Sequence, residues 1–209
     1  MKKLIPLLLV VLTFAACEKD PDTDKLDNKY LVYTNYDTKA DFKAFQTYYM
    51  PDSILIIGDK KEAEYWKDES AQEILQAYAT NMNNRGFVRV DDREEANLGL
   101  QVSYIKSTYY FNDYGRPEWW WNYPGYWDAP YWGNWGGWYY PYAVTYSYST
   151  NSFITEMVNL KADEGEGKKL PVVWTSYLTG FETGSKAINR TLAIEAVNQS
   201  FTQSPYLTN

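Results

Sequence analysis

Few residues in this sequence can do covalent chemistry. There is no histidine and a single cysteine, Cys17. Ser-His-Asp and Cys-His catalysis, histidine bases, and metal sites built from His or paired Cys are excluded by that composition. GxSxG, SxxK and glycine-rich phosphate loops are absent as well. What remains is carboxylates, lysines and hydroxyls, so neither a catalytic residue nor a metal or cofactor is expected. The acids closest to a surface suited to sugars are Asp113, Glu118 and Asp128, which flank a dense aromatic run. A carboxylate-pair glycoside hydrolase, the alternative reading, needs two acids about 5–10 Å apart in a fixed cleft. Loop acids seldom keep that spacing, and the expectation is a protein that is not an enzyme.

The aromatic run is WWWNYPGYWDAPYWGNWGGWYYPY, Trp119 to Tyr142, which holds seven of the nine tryptophans. Its candidate ligand contacts are Trp119, Trp120, Trp121, Tyr126, Trp127, Tyr131, Trp132, Trp135 and Trp138. A faint pentad, Tyr126-Trp127 and Tyr131-Trp132, is its only regularity, and Pro124, Pro130 and Pro141 interrupt any strand ladder. The run lies between two alternating segments that can pair, which makes it the tip of a long hairpin. Three roles follow for such rings. They fold back over an open sheet face as a satellite core; they stack on glycan, envelope polymer or a partner protein; or they enter a membrane interface, where Trp and Tyr favour headgroup depth.

The N-terminus decides which surroundings apply. Residues 1–16 (MKKLIPLLLVVLTFAA) have two lysines, an apolar run and a small-residue end, the pattern of a secretory signal peptide and too short for a span of about 20 apolar residues. With Cys17 the segment FAAC resembles the lipobox of bacterial lipoproteins, with Phe14 where Leu is usual. That resemblance implies acylation of the Cys17 sulfur and a membrane anchor, since each buried methylene contributes about 0.8 kcal/mol. Residues 17–29 then read as a lipidated cysteine and acidic tether. Acids directly after the cysteine look like the signal that exports some Gram-negative lipoproteins to the outer membrane surface. Asp20, Asp22 and Asp24 have the spacing of a calcium loop, but Lys25 and Leu31 stand where Gly and Glu are needed, so they read as tether. With 27 acidic against 20 basic side chains and a net charge of −7, the chain repels phosphate backbones, and no nucleic acid partner is expected. The expected location is the exported, lipid-anchored face of the outer membrane, periplasmic or surface-exposed.

Residues 30–209 read as a single domain with an aromatic insert at 112–142. Tyr30 to Tyr36 predicts a first strand, Asp41 to Phe45 a helical turn, and Thr47 to Tyr49 a second strand closed by Pro51; the apolar patch Ile54 to Ile57 can extend that strand, in a register that its residues leave open. Ala71, Ile74, Leu75, Tyr78 and Met82 recur on one helical stripe, which predicts a helix over 70–85 stopped by Gly86. Phe87 to Val90 reads as a strand. Leu98, Leu100, Val102 and Tyr104 alternate with Gly99, Gln101, Ser103 and Ile105, the period of a strand with one buried face. Tyr142 to Ser149 repeats that period, Phe153 to Leu160 continues extended, and a charged turn at 161–169 makes a hairpin with Leu170 to Phe181. A last helix over 185–201, capped by Ser185, turns Ile188, Leu192, Ala196 and Val197 inward. The sum is an α+β domain: a mostly antiparallel sheet, two amphipathic helices on one face, and a second face of Ser, Thr and Gln open to water.

This order of segments resembles the bacterial lipoprotein domain catalogued as domain of unknown function 4136. The resemblance rests on the tyrosine-rich first strand and on Ala96-Asn97-Leu98 before Gln101-Val102-Ser103-Tyr104, where the family usually has Asp in place of Asn97. It rests further on a Gly- and aromatic-rich insert, on Val158 to Asp163 (VNLKAD) before Val172-Val173-Trp174, and on a closing helix that ends near Pro205. Thr175-Ser176 follow that Trp where Arg-Gly is common. The resemblance implies an envelope lipoprotein of α+β fold and implies no activity.

Overall fold

The computed structural model describes residues 30–58, 62–106, 137–143, 149–162 and 169–209. Among these, nine strands form one open sheet: β1 (Leu31–Tyr36), β2 (Thr47–Tyr49), β3 (Ile54–Ile57), β4 (Glu64–Trp66), β5 (Val88–Arg89), β6 (Leu98–Ile105), β7 (Trp138–Tyr139), β8 (Ser152–Asn159) and β9 (Leu170–Thr179). Helix α1 (Glu69–Asn84) follows β4, and α2 (Lys186–Thr202) follows β9.

The long strands pair antiparallel in the order β1-β9-β8-β6. On the far edge of β6 the pairing turns parallel. There β2 meets Leu98 and Gly99, while β3 meets Ser103 to Ile105. Thus β2 and β3 run in one direction along the same edge, interrupted at Pro51, which has no N–H to give to a ladder. That resolves the open placement of Ile54–Ile57. The α+β expectation holds, with parallel pairs at β2/β5, β2/β6, β3/β6 and β7/β9 added to a mostly antiparallel sheet. Asn97 fixes the start of β2: its Oδ1 accepts from the backbone N–H groups of Gln46 at 2.8 Å and Thr47 at 3.1 Å. That task needs an acceptor oxygen, which Asn supplies as well as Asp.

Both helices cover one face. The stripe Ala71, Ile74, Leu75, Tyr78 and Met82 of α1 is buried, as its spacing predicts, and α1 begins one residue early because the Asp68 side chain caps the Ala71 N–H. Ser185 caps α2. Leu192, Ala196 and Val197 of α2 are buried, but Ile188 is 52% exposed, because the first turn of α2 stands clear of the core. The main cluster joins these residues to Leu98, Leu100, Val102, Met157 and Trp174 of the sheet. The Thr155 hydroxyl donates to the Tyr78 hydroxyl at 2.6 Å, and burial pushes the Tyr78 hydroxyl up to a pKa of about 12.

The second face departs from expectation. Gln101, Ser103, Ser152 and Thr175 are buried rather than open to water, and a second cluster forms there around Leu55, Ile57, Ile154, Val158, Leu170 and Val172. Small polar side chains tolerate burial when their hydrogen bonds are met, so alternation of polarity does not by itself mean a solvated face.

The C-terminal segment closes on Arg85, just before Gly86, whose φ of +91° is the left-handed stop of α1. The Arg85 guanidinium donates to the carbonyls of Phe201, Ser204 and Leu207 at 2.5, 3.0 and 3.2 Å, which ties the end of α1 to the last turn of α2 and the segment after it. Arg85→Ala is expected to lower the unfolding free energy by about 1.5–3 kcal/mol, the range for hydrogen bonds to a charged group. Arg85→Lys should recover little of that loss in urea titrations, since an ammonium lacks the guanidinium fork.

Candidate functional site

Strand β8 lies at the centre of the sheet and presents Phe153, Thr155 and Met157 to the helices, which leaves Ile154, Glu156 and Val158 on the second face. Glu156 therefore projects from mid-sheet, between its register neighbours Gln101 on β6 and Thr175 on β9, and is 1% exposed. A bare carboxylate there would be costly.

Its cover comes from the end of the aromatic run. Strand β7 runs parallel to the start of β9, with Trp138 opposite Leu170 and Tyr139 opposite Pro171. The segment is held at both ends: Leu170 N–H donates to Gly137 O at 2.8 Å, and Asn35 Nδ2 donates to Ala143 O at 2.8 Å. Trp138, Tyr140 and Tyr142 take alternate positions, pack on the second cluster, and the two tyrosine rings meet edge to face at 5.7 Å. Trp138 is fully buried; its indole N–H donates to Glu156 Oε1 at 3.2 Å, and the Tyr140 hydroxyl donates to the same oxygen.

Glu156 Oε2 has no hydrogen-bond partner among the described residues. Burial raises the Glu156 pKa well above its ordinary value. Both facts favour the protonated acid, with Oε1 as the carbonyl oxygen that two donors share. At the β8–β9 end of the same face, the Tyr177 hydroxyl, Ser149, Ser152 and Thr179 form a closed hydrogen-bond network at 2.7–3.0 Å.

Of the nine candidate contact rings, Trp138 lies within the described residues, and it is an internal anchor with no surface to offer a ligand. Trp119, Trp120, Trp121, Tyr126, Trp127, Tyr131, Trp132 and Trp135 lie outside them, as do Cys17, the leader, the tether, Asp113, Glu118 and Asp128. Glu156 escaped the sequence reading. Its signal was a lone acid in the apolar run Phe153 to Leu160, at the parity of Ile154 and Val158. Among the described residues no group of three or more acids could hold a metal ion, and no helix is long and apolar enough to cross a membrane.

An open mixed sheet with two helices on one face and an aromatic strand closing the other defines an α+β domain of a recognisable kind. The chain belongs to the family described as Domain of unknown function (DUF4136), whose match spans residues 32–206. It is similar to a DUF4136 family protein of Bacteroides thetaiotaomicron known from a crystal structure, with 75% sequence identity over 87% of this chain and 99% of that one, and a TM-score of 0.80. No curated protein matches the chain.

Proposed function

We propose that this DUF4136 protein is a non-catalytic lipoprotein of the cell envelope, anchored by acylated Cys17, that contacts a glycan, an envelope polymer or a partner protein through its aromatic insert. The observation that supports this reading is the rooting of the insert: Trp138 and Tyr140 share Glu156 Oε1, and β7, which Tyr140 directly follows, is laid along β9. Rings that continue from an anchored strand spend less conformational entropy on binding than rings on a free loop. The buried acid favours a structural role over a catalytic one. Glu156 is sealed beneath Trp138, so no substrate bond can reach it in this state, and a general acid must come within about 2.6–3.2 Å of the proton's destination.

Tryptophan fluorescence of the whole chain in detergent tests the contact. Titration with envelope glycan should shift or quench the emission, and replacement of Trp119, Trp120 and Trp121 by alanine should remove that response while leaving the melting curve in place. Emission indifferent to glycan, to polymer and to envelope extract would instead make the insert a packed lid. Mass spectrometry of the protein from its own membrane should find a diacylated N-terminal Cys17, and an unmodified terminus would refute the anchor.

A further inference from the structure

Where β6 ends and β8 begins, the first turns of α1 and α2 enclose a cleft of about 390 Å³. Its floor is aromatic. Trp66 and Phe153 lie 6.2 Å apart and 24° from parallel, and Tyr104 meets Trp66 at 5.6 Å and Phe153 at 5.0 Å. Phe153 is buried, whereas Trp66 and Tyr104 are half-buried, so these two rings give the floor its accessible surface. Their polar ends are already engaged: the Trp66 indole donates to Asp68 Oδ1 at 2.6 Å and the Tyr104 hydroxyl to Asn151 Oδ1 at 2.7 Å. Those bonds hold both rings in place before any ligand arrives.

The rim is basic. Lys106 leaves the end of β6, while Lys186 and Arg190 project from α2. Arg190 pairs with Glu73 at 3.0 Å, but neither lysine has an ion-pair partner among the described residues. The acids nearby are committed elsewhere: Asp68 Oδ1 accepts from Trp66 and from the Ala71 N–H, and Glu182 accepts the Asn151 amide. Among the residues that line the cleft, Lys106, Lys186 and Arg190 carry three positive charges against one negative charge on Asp68, while Glu73 and Glu182 touch the lining residues Arg190 and Asn151 from outside. Ser70 and Asn189 add neutral polar groups to the wall.

We infer that this cleft binds a carboxylated sugar, its ring face on Trp66 and Tyr104 and its carboxylate held by the Lys106 and Lys186 ammonium groups. The volume lies near the small end of the about 300–1,000 Å³ range of ligand sites and suits one or two pyranose rings. A bare anion would leave the aromatic floor unused, and a neutral sugar would leave the lysines unused. The inference goes beyond the reading above and uses no residue of the insert.

Calorimetry of the whole chain in detergent with di- and trigalacturonate, against neutral galacto-oligosaccharides of equal length, tests it. The acidic sugars are expected to bind at least about tenfold more tightly, a preference that shrinks as salt screens the lysines. Lys106→Ala with Lys186→Ala should abolish the preference while leaving the melting curve in place, because both side chains are exposed and outside the core. Equal affinity for acidic and neutral sugars, an unchanged preference in the double variant, or no heat at millimolar ligand would overturn the inference. So would binding lost in the Trp119, Trp120 and Trp121 triple variant but kept in the lysine variant, an outcome that would place the sugar on the insert and uphold the proposed function by itself.

Discussion

Glu156→Leu is expected to lower the unfolding free energy by about 2–5 kcal/mol, because buried donors that lose their acceptor cost about 1–3 kcal/mol each. Trp138 and Tyr140 both direct their hydrogens at Glu156 Oε1, and leucine offers them no acceptor. Glu156→Gln separates the hydrogen bonds from the charge, since its amide oxygen can accept from both donors and it does not ionise. The two substitutions therefore diverge with pH. Burial raises the folded-state pKa of Glu156 well above 4.5, so the native protein retains a proton that the unfolded chain has released. Stability then falls with rising pH, because the native state binds more protons than the unfolded one. The contribution is complete below the ordinary value of 4.5 and is lost as pH rises through the folded-state value. Urea midpoints of wild type and Glu156→Gln should lie close together at mildly acidic pH and separate at alkaline pH, with the Gln variant the more stable there. A difference that stays constant with pH would mean that Glu156 is not a buried acid of raised pKa.

The helix side of this fold is legible from the sequence because each signal there is local. The Ala71 to Met82 stripe, the Ser185 cap and the alternation of β6 each involve residues within a few positions of one another, and each appears where its period predicts. The second face is not legible in that way. Gln101 and Ser103 have the parity of a solvated face, yet Trp138, about 35 residues further along, closes over it. Nothing between those positions carries a period that announces the contact. Strand β4 escaped for a similar reason: three residues, Glu64 to Trp66, are too few to show alternation, and the partner strand β3 defines them. Ile188 reads inward by helical spacing alone, but in the first turn of α2 it stays 52% exposed. The aromatic run is legible in composition and not in placement. Its last rings belong to the core, so composition marks where apolar contact is concentrated without saying which rings meet the sheet.

Whether the two faces of the sheet melt together is decided by two tryptophans. Trp174, on the helix face, is fully buried, meets Phe201 at a centroid distance of 5.4 Å and donates its indole N–H to Ser204 Oγ at 2.9 Å. Trp138 is equally buried on the opposite face, in a cluster that contains no helix residue. Each replacement by alanine should cost about 3–5 kcal/mol, the range for losing a buried aromatic ring. Their consequences should nonetheless differ. Trp174→Ala removes packing between α2 and the sheet and should lower protection against hydrogen exchange throughout α1, α2 and β9. Trp138→Ala removes the anchor of β7, so loss of protection should concentrate at Leu170, whose N–H bonds Gly137, and along the covered face, with α1 amides retaining theirs. Because the two rings touch different clusters, the double variant should lose the sum of the single losses to within about 0.5 kcal/mol. A shortfall well beyond that margin would show that the faces are coupled through β8 and β9. In that case release of the aromatic strand could not occur without loosening the helices, and the insert would be part of the folding unit rather than an attachment to it.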